Sequence, residues 1–150
     1  MRRRGFTLSE LALTVAIAGT VTAMAIPKTD DLKRRTTASR ILEDVNIVKN
    51  ATYRFFSDSG YFPKDAASGT VPENLNRYLP LNYSFTRKDW TIDFQTWSRK
   101  APSVHMKTAV QIAVSITTRD ARLGATAMHL YGNNPKFAVG SKYTFLIVGP

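Results

Sequence analysis

Glu10 is the residue whose chemistry most needs a reason. It is the one charged side chain between Phe6 and Ile26, a 21-residue run close to the length that spans a bilayer as a helix. A carboxylate inside such a run costs a few kcal/mol on insertion scales. Other reactive groupings are scarce. Cysteine is absent, which excludes disulfides, thiol nucleophiles and thiolate metal sites. The two histidines, His105 and His129, have no metal-ligand spacing. Asp89 and Asp93 are four apart, but they flank a strand-like pattern and need not converge. No nucleophile elbow, Walker loop or dinucleotide loop is present. No catalytic residue, metal or cofactor is therefore expected. Tyr83, Phe85, Trp90 and Trp97 lie among Arg87, Lys88, Arg99 and Lys100, a mixture that can stack bases. Core aromatics flanked by solvated cations are the commoner reading of that pattern.

At 150 residues the chain has room for one domain, and its formal charge is +10. Three of those charges, Arg2, Arg3 and Arg4, precede Gly5. From His105 onward there are five basic residues and one acid, Asp120. Such a surface attracts DNA or anionic lipid, although a mildly basic exported protein needs neither.

Three readings fit the amino terminus. One is a plain signal-anchor. Another is a cleaved secretory signal, with Arg2–Arg4 as the basic region and Ala23-Met24-Ala25 as an A-x-A site; Arg3-Arg4 also loosely fits a twin-arginine signal. The third is a short leader cut between Gly5 and Phe6. Glu10 separates them, because a discarded signal gains nothing from a costly carboxylate. A cut at Phe6 creates an ammonium four residues before Glu10, a natural partner for a buried charge.

Arg4-Gly5-Phe6-Thr7-Leu8-Ser9-Glu10-Leu11 resembles the processing motif of type IV pilins and type II secretion pseudopilins. The resemblance covers about 27 residues and is specific. It implies cleavage after Gly5 by a prepilin peptidase, N-methylation of Phe6, and a role for Glu10 in assembly. Gly19 and Pro27 fall where many members carry a glycine and a proline, and imply local helix flexibility. The implied location is the bacterial inner membrane, single-pass, with the head in the periplasm, then the filament. Implied partners are other pilin or pseudopilin subunits, the peptidase, an inner-membrane assembly platform and membrane lipid. DNA is a lesser expectation, through a minor pilin acting as a binding module in uptake or adhesion. The calcium site of the major pseudopilin is not expected, since Asp120 is the one carboxylate after Asp93. Basic residues beyond the apolar run (Lys28, Lys33, Arg34, Arg35, Arg40) outnumber those of the leader, against the positive-inside rule; handling of the leader would have to set the orientation.

The elements that must carry this terminus follow from periodicity. Pro27 lacks an amide hydrogen and is expected to bend or interrupt the helix. Beyond it, Ala38, Ile41, Leu42, Val45, Val48, Thr52 and Phe55 share one helical face. Arg40, Glu43, Asp44, Asn46, Lys49 and Asn50 fill the other. Lys33, Arg34, Arg35 and Arg40 form a small basic patch, offset by Asp30 and Asp31. Gly60 is the expected helix cap. Pro72 to Leu79 reads as a short helix burying Leu75, Tyr78 and Leu79. Strands are expected around Ile92–Thr96, Val110–Ile116 and Lys142–Val148, and a helix over Arg119–Tyr131 with Leu123, Ala127 and Leu130 inward. The expected division is a leader (1–5), a transmembrane or filament-core helix (6–27), an amphipathic helix (28–58) and a globular head (59–150). The fold class is α+β, with the long helix packed on a small antiparallel sheet.

Mass spectrometry of the mature protein should find methylated Phe6 as its first residue. Ile26 in that position would replace this reading with an ordinary secretory signal.

Overall fold

The computed structural model describes residues 7–97 and 112–147, without the side chains of residues 24–28. Helix α1 runs Leu8–Ser59, 52 residues and about 78 Å at 1.5 Å per residue. It continues through Pro27, so the expected interruption there is absent. Proline removes one hydrogen bond from a ladder that the turns on both sides sustain. Gly60 closes the helix at φ 75°, with its amide donating to the Phe56 carbonyl at 2.8 Å. That left-handed conformation is the one glycine adopts without strain.

A 3-10 helix, Glu73–Tyr78, follows, preceded by Pro72 as its cap. Leu75 and Leu79 are buried as expected, and Tyr78 is half-buried. Strands β1 (Trp90–Thr96), β2 (Ile112–Thr118), β3 (Lys136–Val139) and β4 (Lys142–Ile147) make one antiparallel sheet in the order β1-β2-β4-β3. Helix α2 (Ala121–Leu130) lies between β2 and β3 in the chain. The fold is α+β, the long helix packed on a four-stranded antiparallel sheet. β3 is the strand that periodicity missed. Its four residues are too short to alternate visibly, and it is held by a tight hairpin through Gly140 to β4.

The α1 stripe and the inner face of the sheet share one core. Ala38, Ile41, Val45, Val48 and Phe55 meet Ile92, Phe94, Ile112, Val114, Ile116, Phe145 and Ile147 there. Each fully buried aliphatic or aromatic side chain contributes roughly 1.5–3 kcal/mol. Leu42, expected in the stripe, is half-buried, and Leu130 is 43% exposed. The outer face is not plain solvent either. Asp93, Ser115 and Thr144 form a row across three strands and are all buried. Ser115 Oγ donates to Gln95 Oε1 and shares a hydrogen bond with Thr144 Oγ1, both at 2.9 Å. Lys142 Nζ pairs with Asp93 at 2.6 Å. Alternation misleads here because β2 and β4 are internal strands, covered on both faces.

Helix α2 is seated by an absent side chain. Gly124 is buried, and a Cβ built on it would clash with Cε2 and Cζ of the Tyr143 ring of β4. The Tyr143 hydroxyl donates to the Ala121 carbonyl at 3.3 Å, tying that ring to the first turn of α2. In an open helix, Gly→Ala gains about 1 kcal/mol. At this position the overlap wins, and Gly124→Ala should destabilise the head by about 1–3 kcal/mol. Urea denaturation of the full chain in detergent would read it, and an unchanged midpoint would contradict this packing account.

Candidate functional site

The amino-terminal site begins at Thr7, the N-cap of α1. Thr7 has extended backbone, and its hydroxyl accepts from the Glu10 amide at 3.3 Å. Glu10 Oε2 in turn accepts from the Thr7 amide and the Thr7 hydroxyl, each at 2.9 Å. This is a reciprocal capping box, which satisfies two amides that the first turn of a helix leaves without partners. Glu10 therefore has a local role that the sequence reading overlooked. The signal was present in the spacing Thr7-x-x-Glu10 ahead of an apolar run. The carboxylate also sits where the positive end of the helix dipole favours it.

Gly5 and Phe6 lie outside the described residues, so the cut bond and the Phe6–Glu10 pairing have no geometry here. Gly19 is helical, with open space where a Cβ would stand, so nothing among the described residues requires its small size. Pro27 is within α1, and its side chain lies outside the described residues. From Leu8 to Val21 every residue of the helix is exposed. Leu8, Leu11, Leu13, Val15, Ile17 and Val21 are each more than half exposed. Among the described residues, no helix is long and apolar enough to cross a membrane. The span expected over 6–27 includes Phe6 and the 24–27 side chains, which are not described.

The basic patch does not act as a unit. Arg34 pairs with Asp31 at 2.8 Å, one turn earlier on α1. Lys33, Arg35 and Arg40 are exposed. His129 is exposed on α2, and His105, Arg99 and Lys100 lie outside the described residues. Phe85 and Trp90 are core residues, and Trp97 packs beside Phe137, so these aromatics do not form a base-stacking platform.

A second polar centre was missed entirely. Asp44 was expected on the solvent face of α1 but is buried, at 6% exposure. It lies three residues from Ile41 and four from Val48, which turns it toward the head. Its carboxylate accepts from Tyr83 Oη at 2.6 Å and Trp90 Nε1 at 3.0 Å. Arg87 donates in a two-pronged fork at 2.9 and 3.2 Å, with its guanidinium also over the Tyr83 ring. No buried side-chain polar atom among the described residues lacks a partner. Burial, and then the hydrogen bond to Asp44, push the Tyr83 phenol above its usual value. The bond to Asp44 also pushes the Arg87 guanidinium up, though burial opposes this. The centre clamps the loop before β1 onto α1. A lone Asp among outward-facing residues carries no sequence signal of that partnership.

The family profile described as the prokaryotic N-terminal methylation motif matches residues 1–26. The fimbrial protein EcpC of Eikenella corrodens is 32% identical over 74 residues, which cover 49% of this chain and 48% of that protein. The type IV major pilin PilA of Myxococcus xanthus is 37% identical over 78 residues, 51% of this chain and 36% of that one. The chain is thus similar to type IV pilins over about half of its length, and to their methylation motif at its amino terminus. The type IV major pilin PilE of Neisseria gonorrhoeae is 33% identical over 69 residues, 46% of this chain and 41% of that pilin. The matched part spans less than half the length of each of these relatives. No solved structure matches the chain.

Asp44→Ala would leave the Trp90 and Tyr83 donors and the Arg87 charge without their acceptor. Arg87 is partly exposed, which moderates the cost to about 3 kcal/mol. The pH dependence has a definite sign. Because the Tyr83 value is raised on folding, its bond to Asp44 is fully present below pH about 10, the ordinary tyrosine value, and lost as pH rises through the raised one. An alkaline titration followed at 295 nm should therefore show a late tyrosine step that Tyr83→Phe removes. An unaltered titration in that variant would contradict the clamp.

Proposed function

We propose that this chain is a structural subunit of a type IV pilus or a type II secretion pseudopilus. The observation that carries the reading is the methylation-motif match over residues 1–26, the stretch that contains Gly5, Phe6 and Glu10. A prepilin peptidase cuts after Gly5, and Phe6 becomes the methylated first residue. Residues 6–27 anchor the subunit in the inner membrane, with residues 28–58 and the head outside the cytoplasm. An assembly platform then draws the subunit into a filament, where the same helix packs against its copies.

The exposed apolar surface of α1 from Leu8 to Val21 supports this reading. A helix with that surface needs lipid or other helices around it, since contiguous apolar patches of this size are rare on monomers in water. A subunit that exchanges lipid for neighbouring helices keeps the surface buried throughout. Glu10 supplies the direction of that exchange. In lipid its carboxylate is costly, and in the filament it meets the Phe6 amine of a neighbour. That pair would set the axial register of subunits.

Glu10→Val should leave cleavage after Gly5 and membrane insertion intact and abolish filament assembly. Processed subunit in the membrane fraction and absent filaments are the expected result. Normal filaments, or normal secretion output, from this variant would overturn the assigned role.

A further inference from the structure

We infer that the cleft where α1 leaves the head is a docking site for the phosphate of an anionic phospholipid. The cleft has a volume of about 790 Å³. Its cations come from three segments that are distant in sequence: Lys33 and Arg34 on α1, Arg87 and Lys88 before β1, and Arg119 after β2. The sheet register explains their meeting. Trp90 pairs with Thr118, and Thr117 with Lys142, so the start of β1, the end of β2 and the start of β4 share one end of the sheet. That end faces α1 at residues 30–37, on the side from which the exposed apolar half extends.

Three carboxylates also line the cleft: Asp30, Asp89 and Asp120. Asp120 is engaged in capping α2, accepting from the Arg122 and Leu123 amides at 2.9 and 3.2 Å. Arg87 is tied to Asp44, and Arg34 to Asp31. Lys33, Lys88 and Arg119 are exposed and have no ion-pair partner among the described residues. These three cations face two carboxylates that are likewise without an ion-pair partner among the described residues, Asp30 and Asp89, so the mouth is an anion site of limited extent. The carboxylates break up any longer basic track, which disfavours a duplex that presents a row of phosphates.

The choice of lipid rests on the membrane-anchored reading above. Lys33 lies seven residues beyond Ile26, about 10 Å along the helix. Headgroups occupy roughly 5–7 Å on each side of the hydrocarbon core. With the apolar half of α1 in the bilayer, the mouth of the cleft stands at or just above the phosphates. Cations held beside a lipid surface are drawn to whatever anionic headgroups that leaflet carries. Binding there would hold the head at a fixed tilt against the membrane until the subunit is extracted.

The test uses the full chain carrying Trp97→Phe, so that Trp90 of the cleft is the one tryptophan left. It is reconstituted into phosphatidylcholine vesicles with or without phosphatidylglycerol, each containing a headgroup nitroxide lipid. Trp90 quenching should rise roughly two-fold with phosphatidylglycerol, through attraction of the basic cleft to anionic lipid. The rise should vanish in 1 M salt, where the screening length falls to about 3 Å. Lys33→Glu with Lys88→Glu should remove it. Arg35→Glu with Arg40→Glu, the same charge change outside the cleft, should keep it. Alkaline carbonate extraction reads the anchor separately. A chain extracted from both vesicles overturns the anchored reading and this inference with it. A chain that stays inserted but is quenched equally in both lipids overturns this inference alone. Loss of the rise in both charge-reversed pairs would mean a diffuse charge effect and no cleft site. Salt-sensitive binding of duplex DNA, lost in the Lys33→Glu, Lys88→Glu chain without any lipid dependence, would assign the cleft to nucleic acid instead.

Discussion

Helix α1 has to be stable in two surroundings along one uninterrupted hydrogen-bonded ladder. Its second half is fastened by a stripe, Ala38, Ile41, Val45, Val48 and Phe55, that the sheet, α2 and the 3-10 helix cover together. Its first half has no such cover. Because the two halves are one helix, anything that orients the head on the stripe also orients it relative to the apolar half. Hydrophobic packing is non-directional and tolerates sliding along the stripe. Asp44 does not, since its carboxylate must meet an indole, a phenol and a guanidinium at once. The clamp thus contributes specificity of docking more than net stability, the role in which buried ionic groups are best understood.

What was legible in the sequence divides along a physical line. Features set by residues close in the chain were readable: the stripe of α1, the Gly60 cap, the short helix after Pro72, the three longer strands. Features set by distant partners were not. Asp44 reads as a solvent-facing acid until Tyr83, Arg87 and Trp90 are folded against it. β3 exists because β4 offers it an edge. Gly124 reads as a weak point in a helix, and becomes a requirement once Tyr143 occupies the space beside it. Pro27 erred in the opposite direction. A local rule predicted a bend or an interruption, and the ladder on either side of it carried the helix through without an interruption.

The amino terminus shows how a single carboxylate can serve two demands. Both Thr7 donors, amide and hydroxyl, converge on Glu10 Oε2. Oε1 accepts no hydrogen bond among the described residues. The capping box therefore does not consume the acidic group. A carboxylate has about four lone-pair positions, so it can hold the first turn of its own helix and still receive an ammonium. Capping also keeps the side chain folded back onto Thr7 at the helix end. The pairing proposed for Glu10 is then an addition to an existing hydrogen-bonded turn. That lowers its entropic cost, because the rotamer is already restricted before a partner arrives.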